Sequence, residues 1–457
     1  MTKNEALLAD KSRLRGVDLK IVYRTPASLK PYARNARTHS KKQISQIAAS
    51  ILQFGFTNPV LLSDTDEIIA GHGRVLAAIE LGLKEVPTLR LEHLSDAERR
   101  AYILADNKLA EQAGWDEDIL KLELGSLVEL DLDFEIEVTG FETAELDILL
   151  HEDVDELAEK APPEPEPGPA ITQVGDIWCL GPHRLICGDT TDPLVIDALM
   201  GSERADCVFT DPPYNVKIDG NVCGSGAVKH REFAMGSGEM DEAEFAAFLT
   251  SSLGELARVS RDGAIHFVCM DWRHMSELSS AGLAVYNELK NMVVWTKTNA
   301  GMGTFYRSQH ELVFVFKVGT APHTNTFGLG ETGRYRSNVW TYPGVNSFGS
   351  GKSDLALHPT VKPVALVADA IKDVTKRGQI ILDGFGGSGT TLIAAERTRR
   401  IARLVEFDPL YCDVICRRFE TDTGQLATLA DTGEAFDLVA EARLEHLHQD
   451  DEIGGAS

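Results

Sequence analysis

A proline-rich acidic stretch constrains the folding of this chain more than any other feature. Residues 152–170 read EDVDELAEKAPPEPEPGPA and hold five prolines among acidic side chains. Such a composition cannot bury a hydrophobic core, so the chain must fold as separate parts on either side of it. We predict a small domain over 18–120, an acidic connector with a proline-rich linker over 121–170, a larger domain over 171–420, and an acidic tail over 421–457.

Charge is spread unevenly between these parts. The 457 residues carry a formal net charge of −25, of which −19 lies in residues 91–168 and −9 in residues 420–457. Residues 1–90 have a net charge of +6 and residues 169–419 of −3. Bulk charge therefore gives no support to nucleic-acid binding, but the basic and near-neutral cores leave a DNA contact open.

Cysteine spacing and hydropathy predict a cytoplasmic protein. The seven cysteines are scattered and form no CxxC pair, which favours reduced thiols over a disulfide scaffold or a zinc site. We accordingly expect no metal. The chain has no run of about 18 apolar residues and no apolar signal core near Met1, so we expect neither a membrane span nor a membrane partner.

The larger domain alternates strand-like and helix-like segments. Candidate strands are ADCVFTD, GAIHFVCM, MVVWTK, ELVFVFK, GQIILDG and RRIARLVEFD. This alternation predicts an α/β fold with a doubly wound, mostly parallel sheet. No helix fits the loop TNAGMGTFYRSQH between MVVWTK and ELVFVFK, so this pair is predicted to form an antiparallel hairpin at a sheet edge.

A glycine-rich loop directly follows one of those strands. In IILDGFGGSGTTLIAAERT, a strand leads into Gly384, Gly386, Gly387 and Gly389, and then into a helix. Glycines let a backbone approach a ligand closely at the carboxyl end of a strand. Glu406 ends the next strand about 20 residues later, where an acid can bind ribose hydroxyls. The pattern favours a nucleoside-containing cofactor; NAD enzymes use a similar loop, and a tight turn without a ligand is the alternative.

The stretch TDPPYNV, Thr210–Val216, offers groups for a second ligand. The buried strand predicted before it places Asp211 at a carboxyl end, where α/β sheets hold ligands. Asp211 presents an acceptor, while Pro212 and Pro213 stiffen the turn and leave their carbonyls as acceptors. Tyr214 adds a flat stacking face. This set suits a planar group that bears an NH₂, such as the Watson–Crick edge of adenine or cytosine; a plain Pro-Pro turn with a surface tyrosine is the alternative.

Three motifs together resemble the DNA amino-methyltransferases that use S-adenosylmethionine. DPPY (Asp211–Tyr214) precedes HPTVKP (His358–Pro363), which precedes DGFGGSGTT (Asp383–Thr391). That order is similar to the circularly permuted β group of the family. The resemblance implies a Rossmann-like methyltransferase domain, S-adenosylmethionine as cofactor and double-stranded DNA as partner. A homodimer is compatible with it, since permuted β enzymes are often dimeric.

The resemblance also implies roles for individual residues. The catalytic set, which would hold the target base, is Asp211, Pro212, Pro213 and Tyr214. The cofactor set is Asp189, Thr360, Lys362, Asp383, Phe385, Gly386, Gly387, Gly389, Thr390 and Glu406. Within it, Asp189 matches the acid for the adenine amino group, Glu406 the ribose acid, and Lys362 the stretch at the methionine end. The target-recognition region would span 318–357, and candidate DNA contacts there are Arg334, Arg336 and Lys352, with solvated loop charge as the alternative.

The implied reaction is methylation of an exocyclic amine, which is a poor nucleophile because its lone pair is delocalised into the ring. Acceptors aligned on its hydrogens localise that lone pair, so direct displacement needs no covalent intermediate, and the base must be flipped out of the duplex. In this family Asp before PPY is commoner in adenine enzymes and Ser in cytosine-4-amino enzymes, so Asp211 favours adenine N6. Two alternatives stay open: a cytosine-4-amino methyltransferase, and a partition-like DNA-binding protein with a non-catalytic methyltransferase domain.

Local signals predict the elements of the small domain. A helix is expected after the N-cap Ser40 and up to Gly55, and Ser95 with Glu98 forms a capping-box pattern. PVLLSDTDEIIAG reads as two short strands around a turn.

Residues 20–120 resemble the ParB/sulfiredoxin-like domain at IIAGHGRVLAA and LADNKLAEQ. Gly71 and Arg74 match a GERR-type box, but His72 and Gly73 replace its middle, and no Arg follows Asn107 at the expected spacing, which speaks against nucleotide hydrolysis. Arg74 at a helix start is a candidate DNA-phosphate contact, with a surface Arg at a structural turn as the alternative. The resemblance implies an α+β accessory DNA-binding or regulatory module, in a fusion typical of phage and prophage methyltransferases.

Overall fold

The computed structural model describes residues 19–130, 132–150, 162–163, 165, 168–215, 238–297, 306–326, 336–343 and 361–454. The chain divides into two compact units, residues 1–150 and residues 151–457, and each is described by itself. Within the described ranges, no helix is both long enough and apolar enough to cross a membrane.

The first unit is a small α+β domain built on a four-stranded mixed sheet. The strand order is β1-β4-β2-β3, in which β2 and β4 are parallel and the other neighbours antiparallel. Its elements are β1 (Ile21–Arg24), α1 (Lys41–Phe54), β2 (Val60–Leu62), β3 (Ile68–Ala70), α2 (His72–Glu80), β4 (Val86–Arg90), α3 (Asp96–Glu111), α4 (Glu117–Glu129) and α5 (Thr143–Leu149).

Helix capping in this unit follows the sequence signals. Ser40 Oγ accepts a hydrogen bond from Gln43 N at 3.1 Å, and α1 ends at Gly55 with a φ of 79°. Ser95 N donates to Glu98 Oε2 at 2.9 Å, which completes the capping box of α3. The predicted helix starts are therefore confirmed, because these side chains satisfy amide groups that have no partner within the helix.

The stretch expected to be an acidic connector contains two helices with a core of their own. Leu120 and Leu124 of α4 and Leu146 of α5 are buried against each other. Asp116 caps α4, since its Oδ1 accepts from Ile119 N at 3.2 Å. The leucines recur at helical spacing, so a thin apolar face folds in spite of the surrounding acid.

The second unit is an α/β domain with helices on both faces of a ten-stranded sheet. Its elements are β5 (Ile177–Leu180), β6 (His183–Cys187), α6 (Pro193–Met200), β7 (Ala205–Thr210), α7 (Glu242–Arg258), β8 (Ser260–Met270), α8 (Met275–Val285), β9 (Glu288–Thr296), β10 (His310–Lys317), β11 (Val339–Thr341), α9 (Val364–Val374), β12 (Ile380–Asp383), α10 (Thr390–Arg397), β13 (Ile401–Glu406), α11 (Pro409–Thr423), β14 (Ala427–Leu429) and α12 (Phe436–Gly454).

The sheet order is β11-β9-β10-β8-β7-β12-β13-β6-β5-β14. The five strands from β8 to β6 are mutually parallel, and β9 and β10 form the expected antiparallel hairpin. The predicted fold class is confirmed. The hairpin is not outermost, however, because β11 pairs in parallel with β9 and covers its free edge. Three residues, Val339–Thr341, are too few for sequence periodicity to reveal this strand.

The core continues into the segment expected to be an acidic tail. β14 pairs antiparallel with β5, and the rings of Trp178 and Phe436 lie 5.0 Å apart. Arg443 of α12 donates to Asp176 Oδ2 at 2.5 Å. The sequence prediction of an acidic tail did not include this packing, because acidic side chains surround the apolar ones that contact the core, such as Phe436 and Val439.

Candidate active site

The two predicted ligand-binding motifs lie side by side in the sheet. β7, which leads into DPPY, pairs in parallel with β12, which leads into the glycine loop. Thr210 Oγ1 donates to Asp383 Oδ1 at 2.9 Å and accepts from Gly384 N at 3.3 Å. The carboxyl ends of both strands therefore meet at one edge of the sheet, the usual place for ligands in this architecture.

The glycine loop wraps around two buried carboxylates. Asp383 also accepts from Thr391 Oγ1 at 2.7 Å and from Phe385 N at 3.0 Å. Glu406 accepts from Gly387 N at 2.7 Å and from Asp408 N at 2.8 Å. Burial raises the pKa of Asp383 and that of Glu406 to about 7, against the opposing effect of these donors.

Two of the loop glycines are required by the geometry. A Cβ on Gly386 would lie 3.2 Å from Ile415 Cδ1 and 3.3 Å from Val405 O, so the loop packs directly on β13 and α11. Gly389, the N-cap of α10, has a φ of 82°, in the left-handed region that favours glycine. Thr390 is the first residue of α10 and is buried. The backbone can thus approach a ligand without a side chain in between.

Asp189 and Phe385 extend this site on either side. Asp189 follows β6, and its Oδ1 accepts from the amide and the hydroxyl of Thr191, each at 2.8 Å. Gly188 N donates to Glu406 O at 2.9 Å, so Asp189 is next to the end of β13. The Phe385 ring lies 5.9 Å from the ring of Phe248 on α7. The structure therefore brings Asp189, Asp383, Phe385 and Glu406 to the same sheet edge.

A cluster of charged side chains surrounds Asp211. Lys362 Nζ lies 2.5 Å from Asp211 Oδ2 and 3.0 Å from Glu311 Oε2. Tyr214 Oη donates to Asp211 Oδ1 at 2.7 Å and lies 3.2 Å from Glu311 Oε2. The Lys297 ammonium binds the other oxygen of Glu311. Lys362, expected at the methionine end of the cofactor, thus contacts the DPPY motif directly.

Electrostatics in this cluster separate its two carboxylates. Burial raises the pKa of Asp211; Lys362 lowers it and Glu311 raises it. Burial also opposes ionisation of Glu311, but Lys362 and Lys297 outweigh it and lower the pKa of Glu311 to about 2. The pKa of Lys362 is raised because Asp211 and Glu311 overcome the effect of burial. Glu311 is therefore a fixed anion, whereas Asp211 is the more readily protonated group.

Asn215 holds the backbone just after DPPY. Its φ is 53°, a left-handed conformation, and its Nδ2 donates to Met240 O at 2.8 Å. Its Oδ1 accepts from Gly238 N at 3.1 Å. The buried Pro212 and the half-buried Pro213 lie between this anchor and β7. DPPY is consequently fixed at both ends, by the strand before it and by Asn215 after it.

The candidate DNA contacts fall in different settings. Thr360 of the cofactor set and Arg334 and Lys352 of the DNA set lie outside the described residues. Arg336 Nε donates to Asp373 Oδ2 at 2.9 Å, and its guanidinium lies 5.1 Å from the Trp340 ring. The charge of Arg336 is therefore compensated within the domain.

Arg74 in the first unit is also held by its own domain. Its Nη1 donates to Asn58 O at 2.6 Å and to Pro59 O at 3.3 Å. Gly71 precedes α2 with a φ of 100°, and a Cβ there would lie 3.3 Å from Arg74 Nη2. Burial lowers the pKa of Arg74, while Asp106 opposes that change. Within the turn Gly71–Arg74, the Arg74 guanidinium thus lies against the backbone of Gly71.

Sequence reasoning missed several residues that build this site. Thr210 and Thr391 hold Asp383, and Glu311 and Lys297 complete the cluster at Asp211. An acid within the otherwise apolar strand ELVFVFK was the available signal for Glu311. In the described part of the chain, no group of three or more His, Cys, Asp or Glu side chains is placed to hold a metal ion.

Comparison with known families matches both units. A family described as DNA methylase matches residues 205–417, one described as ParB N-terminal domain matches 14–108, and one described as ParB-methyltransferase HTH domain matches 118–174. The third match covers α4 and α5, in the stretch expected to be a connector.

Two relatives by sequence agree with these matches. The ParB-like nuclease domain-containing protein YnaK of Escherichia coli (strain K12) is 55% identical over 82 residues, which are 18% of this chain and 94% of that protein. Type II methyltransferase M2.MboI of Moraxella bovis is 25% identical over 231 residues, 48% of this chain and 81% of that one. Among solved structures, the cytosine-N4-specific PvuII DNA methyltransferase covers 56% of this chain and 89% of its own, with a TM-score of 0.40 and 16% identity.

The sheet order, the adjacency of DPPY to the glycine loop, and the matched families lead to one assignment. The second unit carries an S-adenosylmethionine-dependent DNA methyltransferase domain of the N6/N4 type over residues 205–417, and a ParB-like domain precedes it in the chain.

Proposed function

We propose that this protein methylates the 6-amino group of adenine in double-stranded DNA at a specific sequence. The observation that carries the proposal is the position of Asp211, which lies at the carboxyl end of β7 and is joined through Thr210 to the glycine loop. The target base, which would receive the methyl group, and the cofactor, which would supply it, can therefore meet at one edge of the sheet. Asp rather than Ser before PPY favours adenine over cytosine.

Asp211 and the carbonyl of Pro212 would accept hydrogen bonds from the target amino group. Two acceptors aligned on its hydrogens favour a pyramidal nitrogen, whose lone pair is then available for attack. Asp211 accepts best when it is ionised, and Lys362 stabilises that form. Tyr214 would lie against the flipped base, while its hydroxyl, bound to Asp211, fixes the orientation of the carboxylate. Holding both reactants in line supplies much of the rate enhancement.

The cofactor residues fit S-adenosylmethionine. When bound, S-adenosylmethionine supplies the methyl group. Glu406, buried at the end of β13 and oriented by two amides, would hold the ribose hydroxyls. Asp189 would accept from the adenine amino group, and Phe385 would contact the ring. The backbone of Gly386, Gly387 and Gly389 and the side chains of Asp383 and Thr390 would line the pocket, with Thr360 and Lys362 towards the methionine end.

The order of the motifs supports a circularly permuted β-type domain. DPPY comes before the glycine loop in the chain, yet β7 and β12 are neighbours in the sheet. A circular permutation joins the original chain ends and opens the chain between two other strands. Both motifs then stay at one edge of the sheet, whichever comes first in sequence. This explains why a loop that usually opens such a domain lies about 170 residues after DPPY here.

The ParB-like unit would act as an accessory DNA-binding module, with Arg74 as a candidate phosphate contact. Arg334 and Lys352 would contribute DNA contacts from the target-recognition region, over 318–357, whereas Arg336 is bound to Asp373 within the domain. A homodimer is part of the same proposal, and light scattering would then give twice the 49.9 kDa of one chain.

Expression in a host that lacks DNA methylation tests the proposal. Hydrolysis of the host DNA and mass spectrometry of its nucleosides should reveal N6-methyladenine. Finding 4-methylcytosine alone would contradict the adenine assignment. Finding neither base, with retained cofactor binding, would favour a DNA-binding protein with a non-catalytic methyltransferase domain.

A further inference from the structure

Glu311 is an acid with only 13% of its side chain exposed, and the proposed chemistry does not yet use it. It lies on β10, directly opposite Trp295 in the β9–β10 hairpin, and β8 separates it from the strand that carries Asp211. Its carboxylate nevertheless reaches Lys362 Nζ at 3.0 Å and Tyr214 Oη at 3.2 Å. A second carboxylate so close to Asp211 costs free energy through desolvation and repulsion unless cations compensate it.

Lys362 is shared between the two carboxylates. Its Nζ, with three donors, lies 2.5 Å from Asp211 Oδ2, 3.0 Å from Glu311 Oε2 and 3.2 Å from Tyr214 Oη. The side chain of Lys362 is only 5% exposed, so water cannot replace a lost partner freely. Without Glu311, Lys362 and the Tyr214 hydroxyl would both be left with Asp211 as their anion.

We propose that Glu311 is a positioning residue of the methyl-transfer site, which draws Lys362 partly away from Asp211 and leaves Asp211 able to accept the target amino group. This inference rests on the proposed role of Asp211. Glu311 acts as a fixed charge and touches neither reactant in this account. Lys297 balances the charge of Glu311 from the other side and is itself 4.7 Å from the Trp295 ring.

The charge environment makes the proposal testable through pH. The groups that face Asp211 are Lys362, Glu311, Tyr214, Cys269 and Asp383, and Lys297 faces Glu311. Glu311 repels the ionised form of Asp211, while Lys362 favours it. Removing the charge of Glu311 should therefore ease ionisation of Asp211 while binding Lys362 to it more firmly.

Glu311→Gln in the full chain is the main test, because it keeps the volume and removes the charge. Transfer of a tritiated methyl group from S-adenosylmethionine to unmethylated genomic DNA is measured in single turnovers between pH 5 and 9. At pH 7.5 the rate should fall about tenfold or more, because an acceptor is masked. The midpoint of the acidic limb of the pH–rate profile should move to lower pH, by about half a pH unit or more. A loss of fold alone would lower the rate without moving this limb.

A matched control lies at the far end of the same hairpin. Glu288 also binds two lysines, Lys290 at 3.1 Å and Lys317 at 3.3 Å, but it is 44% exposed. Glu288→Gln should leave both rate and profile unchanged. Lys297→Gln provides an independent test. It removes a cation that balances the negative charge of Glu311, so the midpoint of the acidic limb should move to higher pH instead of lower pH.

The outcomes separate this inference from the proposed function. The wild type could methylate adenine while the pH profile of Glu311→Gln superimposes on that of the wild type. That result would overturn the role of Glu311 and leave the proposed function intact. Absence of methylation by the wild type would contradict the function itself. If Glu311→Gln lost its native circular dichroism, Lys297→Gln would decide, and an unmoved acidic limb in that variant would overturn the inference.

Discussion

The Thr210 hydroxyl lies 2.9 Å from Asp383 Oδ1 and joins the residue before DPPY to the first residue of the glycine loop. These two residues are 173 positions apart in the chain, yet they occupy the ends of neighbouring parallel strands. Because Thr210 is fully buried, this hydrogen bond has no competition from water. DPPY and the glycine loop are thereby held in a fixed register.

Thr210→Val should weaken both stability and cofactor binding. The change keeps the shape of the side chain but leaves Asp383 and the amide of Gly384 each without one partner, at a cost of about 1–3 kcal/mol. Urea unfolding and calorimetric titration with S-adenosylmethionine measure the two effects. Thr250→Val on α7 is the control, since the Thr250 hydroxyl donates to Ala246 O within its own helix; an equal loss in both variants would contradict the link.

Cofactor affinity should rise as the pH increases from 6 to 8. Burial holds the pKa of Glu406 at about 7, and its ionised form is the better acceptor for ribose hydroxyls. Titration with S-adenosylmethionine at both pH values should show this rise in the wild type. Glu406→Gln should bind more weakly and lose that part of the pH dependence, and an equal dependence in the variant would exclude Glu406 as its source.

The Glu406 carboxyl should lower the stability of the folded chain as the pH rises, although the same rise in pH strengthens cofactor binding. Its pKa is higher in the folded chain than the 4.5 of an unperturbed Glu, so the folded state binds the proton more tightly. The contribution of Glu406 to the free energy of unfolding is therefore greatest at low pH and decreases as the pH rises from about 4 to about 7. The free energies of unfolding of wild type and Glu406→Gln, compared at pH 5 and pH 8, measure this contribution. The wild type should lose stability relative to the variant between pH 5 and pH 8, and a relative gain would contradict the raised pKa of Glu406.

Phe436→Ala should destabilise the methyltransferase domain although it lies beyond residue 420. Phe436 is 1% exposed and packs on Trp178, so its removal should cost about 3–5 kcal/mol. Leu438→Ala on the same helix is the control: Leu438 is 56% exposed, and its loss should change stability by less than about 0.5 kcal/mol. Equal denaturation midpoints for the two variants would argue that α12 is not part of the folded core.

The sequence predicted the central architecture because strong local signals coincide there. Strand periodicity, glycine spacing and the DPPY motif all mark the carboxyl edge formed by β7, β12 and β13. It could not reveal contacts that depend on tertiary placement. Glu311 reaches Lys362 only once β10 is paired, and Thr210 meets Asp383 only once β7 and β12 are neighbours.

Elements that are very short or rich in acidic residues were the other limit of prediction from the sequence. Acidic composition obscured the buried leucines of α4 and α5, and a three-residue strand such as β11 has no usable period. In both cases packing against the rest of a domain, and not local propensity, stabilises the element.

Removing the first unit should weaken DNA binding or alter site choice. A chain that starts at about residue 165 retains all elements of the second unit, from β5 onward. Fluorescence anisotropy with duplex DNA at two salt concentrations compares the truncated and full chains, since phosphate contacts are salt-dependent. Indistinguishable affinity and sequence preference would remove support for an accessory DNA-binding role of the ParB-like domain.

The most direct measurement compares wild type and Asp211→Ala by single-molecule sequencing of DNA from a host that lacks methylation. The wild type should place N6-methyladenine at one short motif. Asp211→Ala should place none while still binding S-adenosylmethionine, and Glu242→Ala, an exposed change at the start of α7, should match the wild type. Full methylation by Asp211→Ala would contradict the account.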